Sequence, residues 1–123
     1  MSQLKPPPGI VPYSALIGGV VQNQRKLLSL QQGDVAQQLG LSQSAYSRIE
    51  SGDTIMSVTQ LRQIAALFRT NAQRILDQAD IIAMQLHSQG VPISHEKKDN
   101  SGAILIGLGI LAAALVAAAS KSE

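Results

Sequence analysis

Residues 31–52 read QQGDVAQQLGLSQSAYSRIESG. Apolar side chains fall at Val35, Ala36, Leu39, Leu41, Tyr46 and Ile49, a helical spacing on either side of Gly40-Leu41-Ser42. Gly40 suits the left-handed residue that closes one helix. Ser42 suits the N-cap of the next, and Gly52 ends it. Two short helices joined by a three-residue turn cross steeply, and Ala36 is the small side chain expected where their axes approach. Tyr46 and Ile49 then face inward, leaving Gln43, Ser44, Ser47 and Arg48 on the outer face. Polar side chains that donate and accept hydrogen bonds on an exposed helix are what reading base edges in a major groove requires.

Working outward, residues 13–89 keep the helical period throughout. A first helix over 13–29 buries Leu16, Ile17, Val20, Val21 and Leu27 or Leu28, with Gly18-Gly19 as a weak spot. The second covers 32–39, and the third runs from its Ser42 cap to about residue 51. A fourth over 58–68 is capped by Ser57 and turns Leu61, Ile64, Ala65 and Leu67 or Phe68 inward. The last starts at Thr70 or Asn71 and runs to about residue 89. Its stripe of Ala72, Ile75, Leu76, Ala79, Ile82, Ala83 and Leu86 is long enough that its later half is expected to pack on a second copy.

Both flanks differ from this core. Residues 1–12, with prolines at 6, 7, 8 and 12, predict an extended arm. Residues 90–102 (GVPISHEKKDNSG) predict a polar linker. Residues 103–119 contain only Ala, Gly, Ile, Leu and Val. At about 1.5 Å per residue that run makes a helix of roughly 26 Å, close to a hydrocarbon core of about 30 Å. Its eight large aliphatics favour insertion by about 4 kcal/mol. With only Ser120, Lys121, Ser122 and Glu123 after it, the run is expected to be a tail anchor. Lys97 and Lys98 before it bias the N-terminal part toward the cytoplasm.

The chain of 123 residues has 45% hydrophobic residues, 15% charged residues, a net charge of +2 and no cysteine. Disulfide frameworks, thiol nucleophiles and cysteine-bound metal are excluded. His87 and His95 have no partner at ligand spacing, so no metal is expected. Paired carboxylates, a nucleophile with its base and a phosphate-cradling glycine loop are lacking, so neither catalysis nor a cofactor is expected. The net charge of residues 13–56 is zero, with Arg25, Lys26 and Arg48 against Asp34, Glu50 and Asp53. Few phosphate contacts mean weak, salt-sensitive binding to nucleic acid.

The central segment resembles the phage repressor/Cro-like (xenobiotic-response-element) helix-turn-helix family. Its pattern, roughly T-Q-x-x-L-A-x-x-x-G-x-S-x-x-x-I-S-x-x-E-x-G, is met by Gln32, Val35, Ala36, Gly40, Ser42, Tyr46, Ser47, Glu50 and Gly52, and the likeness extends over about residues 14–79. Gln31 departs from the usual Thr or Ser cap. Tyr46 departs from a smaller aliphatic residue, so its hydroxyl is expected to reach solvent or phosphate.

The resemblance implies an all-α fold, a five-helix repressor-like helix-turn-helix domain, to which one C-terminal transmembrane helix over 103–120 is added. It implies that Gln32 bonds a phosphate and braces the next helix, and that Gln43 reads a base, often adenine. Ser44, Ser47 and Arg48 would meet bases or phosphates, with plain surface equally open for Arg48. Glu50 would be structural. Arg25 and Lys26 would either contact phosphate or form a solvated face.

The expectation is a single-pass protein of the inner (cytoplasmic) membrane whose N-terminal domain binds double-stranded DNA in the cytoplasm as a transcriptional regulator. Its partners are the lipid bilayer and a second copy of itself, as a homodimer or higher homo-oligomer. Another class stays open: a membrane scaffold of RodZ-like layout whose helix-turn-helix domain binds protein. A soluble repressor that hides its last helix in an oligomer is a third.

Overall fold

The structure, a computed structural model, describes residues 9–95. Five helices follow in order: α1 (Tyr13–Leu27), α2 (Gln32–Gln38), α3 (Gln43–Ser51), α4 (Val58–Leu67) and α5 (Ala72–Ser88). They are flanked by two short strands, β1 (Val11–Pro12) and β2 (Ile93–Ser94). The all-α expectation for the domain is met. The run at 103–119 lies outside the described residues. Among those described, no helix is long and apolar enough to cross a membrane.

Local chemistry sets the helix starts. The Ser42 hydroxyl accepts the Ala45 amide at 3.1 Å, capping α3. Ser57 and Gln60 form a reciprocal capping box at the start of α4, and Asn71 caps α5. Gln31 caps α2 with no side chain, as its departure from Ser or Thr implies.

The helix ends share one device. α1, α2, α4 and α5 each close on a left-handed residue, namely Ser29, Gly40, Arg69 and Gly90. The residue after it returns its amide to a carbonyl in the last turn, as in Leu41 to Ala36 and Val91 to Leu86, both at 2.9 Å. Ser29 and Arg69 carry a side chain in this conformation, at a cost of about 1 kcal/mol each. The closing turn also explains a difference from the sequence reading. Leu27 or Leu28 was expected inward, but both are exposed, at 68% and 45%, because α1 ends there and turns them outward.

α1 is the central element, packed on α3 and on α5, while α2 backs α3 and α4 backs α5. Its Gly18 is a requirement rather than a weak spot. A Cβ there would strike the carbonyl oxygens of Ile49 and Glu50. Gly52 meets the backbone of Ala15 in the same way and is left-handed besides. The Ser14 hydroxyl donates to the Gly52 carbonyl at 3.0 Å, sealing this junction.

The core is aliphatic around Tyr46 and Phe68, and the inward residues of α5 are Ile75, Ala79, Ile82 and Leu86. The later half of that stripe does not wait for a second copy. Ile82 and Leu86 are fully buried within one chain, in a cluster with Val11 and Val91. β1 and β2 supply this cover by pairing in parallel, Val11 opposite Ile93, with the Val11 amide donating to Pro92 at 3.0 Å. The end of the arm, at Val11 and Pro12, and the first residues of the linker are thus folded onto the domain. Tyr13 reinforces them through a 2.5 Å hydrogen bond to Asp80 and ring contact with His95.

Gly18→Ala is expected to lower unfolding free energy by about 2 kcal/mol or more, because rigid backbone must yield. A denaturant midpoint within experimental error of wild type would show that α1 and α3 are not in close backbone contact.

Candidate nucleic-acid interface

α3 carries the outward polar residues. Gln43, Ser44 and Arg48 are exposed, and Ser47 is half-buried beside them on the same face. The opposite face buries Tyr46, Ile49 and Glu50. Lys26 is exposed at the end of α1. The structure therefore keeps Gln43, Ser44, Ser47, Arg48 and Lys26 available to a ligand.

Arg25 is not available. It is buried, and its Nε and Nη2 grip the two Glu50 carboxylate oxygens at 2.6 and 3.1 Å. Its Nη1 donates to the Leu30 carbonyl at 2.8 Å. The expected phosphate contact or solvated face is replaced by a structural ion pair, because α3 packs on α1 and brings Glu50 against the guanidinium. Gln32 completes the network, its Nε2 donating to Glu50 Oε1 at 2.9 Å. The bracing part of its expected role is met, with the brace on Glu50.

These contacts settle the charge states. Burial alone would raise the Glu50 pKa, but hydrogen bonds from Arg25 and Gln32, together with the Arg25 charge, hold it below the usual glutamate range. The bond to Glu50 raises the Arg25 pKa further. Tyr46 contradicts the expectation that its hydroxyl reaches solvent or phosphate. It is fully buried, and its hydroxyl has no hydrogen-bond partner among the described residues. Burial first, then the nearby Glu50 carboxylate, raises its pKa above the ordinary tyrosine value. A residue four before Glu50 on a helix must share its inward face.

A solvent-open cleft lies between the starts of α2 and α3, lined by Arg25, Gln31, Gln32, Gly33, Asp34 and Gln43. Gln31 and Asp34 entered the sequence reading only as an unusual cap and a counted charge, and Gly33 not at all. Their only signal as site residues was membership of the start of α2, which faces the start of α3 across a tight turn. With Arg25 and Glu50 cancelling internally, the remaining formal charges of residues 13–56 are Lys26 and Arg48 against Asp34 and Asp53. Such a face offers hydrogen-bonding groups more than charge. Among the described residues no group of acidic or histidine side chains is placed to hold a metal ion.

A family model described as helix-turn-helix matches residues 21–75, the span from within α1 to the start of α5. The match supports a Cro/C1-type helix-turn-helix domain, in a family of DNA-binding regulators that are typically not enzymes. No curated protein and no solved structure matches the chain.

The buried pair generates a test with a defined pH dependence. A carboxylate with a depressed folded pKa stabilises the fold above its ordinary value, and that contribution fades as pH falls through the folded value. Glu50→Gln is expected to cost about 3–5 kcal/mol at neutral pH by stranding Arg25. It should also remove this component of acid sensitivity. The double replacement Arg25→Met with Glu50→Leu should recover most of the loss, read by urea unfolding between pH 3 and pH 7.

Proposed function

We propose that the protein is a membrane-anchored transcription regulator that reads the major groove of double-stranded DNA with α3. The DNA-binding regulator character rests on the helix-turn-helix match. The observation that carries the finer reading is the division of α3 into two faces. Glu50 is locked from beneath by Arg25 and Gln32, while Gln43, Ser44 and Arg48 stand exposed above. A rigid helix offering amide and hydroxyl groups at its N-terminal end and a guanidinium in its last turn suits base-edge recognition, with Gln43 on adenine and Arg48 on guanine or phosphate. Ser47 lies at the margin of this surface, where phosphate contact orients the domain, while Gln32, its amide engaged by Glu50, holds α2 against α3.

The near-neutral face sets the conditions of binding. Single domains would bind weakly, so two copies on adjacent half-sites are needed for useful affinity. Concentration on a membrane would assist in the same direction. The apolar run at 103–119 supports an inner-membrane anchor with this domain in the cytoplasm. Because β2 ends at Ser94, only residues 95–102 connect the folded domain to that run. They reach at most about 28 Å, against about 45 Å for the whole of 90–102. Bound DNA would lie near the bilayer.

The near-neutral charge, with Leu27 and Val58 standing 68% and 74% exposed, favours a second reading in which the domain docks a protein, as in a RodZ-like scaffold. Duplex selection with the full chain separates the two. Gln43→Ala with Arg48→Ala is expected to weaken binding to a selected duplex by at least tenfold and to relax base preference, leaving thermal stability within about 0.5 kcal/mol. Unchanged selection would refute the readout. Fractionation addresses the anchor: the full chain should leave the membrane pellet only with detergent, whereas deletion of residues 103–119 should release it, and recovery of the intact chain in detergent-free supernatant would refute the anchor.

A further inference from the structure

The glycine at the second position of α2 has no structural duty. Its backbone is outside the left-handed set formed by Gly40, Gly52 and Gly90 among the described glycines. A Cβ at Gly33 would find only one neighbour within 4 Å, the Gln43 side-chain oxygen at 3.8 Å, an ordinary contact. The fold at Gly18 and Gly52 excludes a side chain, but at Gly33 it does not. Glycine is also costly there, because α2 spans seven residues and starts without a side-chain cap. The one thing that its bare backbone alters is the space beside Gln43.

That space matters for the freedom of the reading side chain. Gln43 is exposed at the first position of α3, and among the described residues its amide has no hydrogen-bond partner. Gln32, the other amide in the cleft, is turned away to Glu50. Asp34 lines the same cleft and repels phosphate, so a backbone contact does not fill the gap.

We propose that Gly33 is a specificity-determining residue: by leaving the flank of Gln43 open, it keeps that side chain in several rotamers and makes base readout permissive at one position. This deepens, and rests on, the reading of α3 as the recognition helix. A methyl group at Gly33 would pack against the Gln43 amide without clashing. It would thin the rotamer population and favour a single bidentate pairing.

The test is selection from a random-core DNA duplex library with the full-length chain in mild detergent, comparing wild type, Gln43→Ala, Gly33→Ala and Gly33→Ser. Gln43→Ala should erase the preference at one base pair per half-site. Gly33→Ala should raise the ratio of best to second-best base at that same base pair about threefold, with the other positions unchanged. Gly33→Ser should move the ratio in the same direction. Equal ratios in wild type and both Gly33 variants would overturn the proposal while leaving the recognition helix intact, as would a change confined to other base pairs. Enrichment of no sequence by wild type would overturn the DNA reading and this proposal together.

Discussion

A guanidinium and a carboxylate taken out of water and set face to face hold this domain in its working shape. Arg25 comes from the end of α1 and Glu50 from the last turn of α3, and their side chains are 9% and 2% exposed. Desolvating two charges is expensive, so the pair survives only because its remaining groups are also matched. Leu30 accepts from Arg25 and Gln32 donates to Glu50. Through these four residues α1, the turn after it, α2 and α3 become one unit. The pair's value is therefore geometric more than energetic: it fixes the angle at which α3 is presented.

The same junction is also closed by absence of side chains. Gly18 lets α1 lie against the carbonyls that end α3, and Gly52 lets the following turn pass over Ala15. The charged clamp and the backbone contact both bear on the C-terminal end of α3 and fix that end against α1. The strands serve the opposite end of the domain. By tying residue 11 to residue 93 they cover the last turns of α5.

The economy of charge follows from this arrangement. One of the three cations in residues 13–56 is consumed in the interior, which leaves the outer face of α3 to act through amides and hydroxyls. Hydrogen-bonding groups discriminate between bases better than they attract the phosphate backbone. Under the proposed reading, pairing or a short tether to a bilayer would raise the occupancy of such a domain.

Helix positions, their caps at Ser42, Ser57 and Asn71, the turn at Gly40 and the outward set on α3 were legible in the sequence, because each depends on residues within a turn or two of one another. Ser29 and Arg69 as helix-closing residues were not, since neither is a residue type that prefers the left-handed conformation. The cleft at the start of α2 and the burial of the Tyr46 hydroxyl were also hidden, because both depend on how two helices meet. Arg25 shows the limit most clearly. Read locally, it is a surface cation near a helix end, and only the return of α3, twenty-five residues later, turns it into a buried partner of Glu50. Local periodicity and capping thus determined which segments are helices and which face of α3 is polar. Tertiary packing decided which polar groups are left free to recognise a partner, because desolvation acts on the assembled neighbours of a residue and not on its place in the chain.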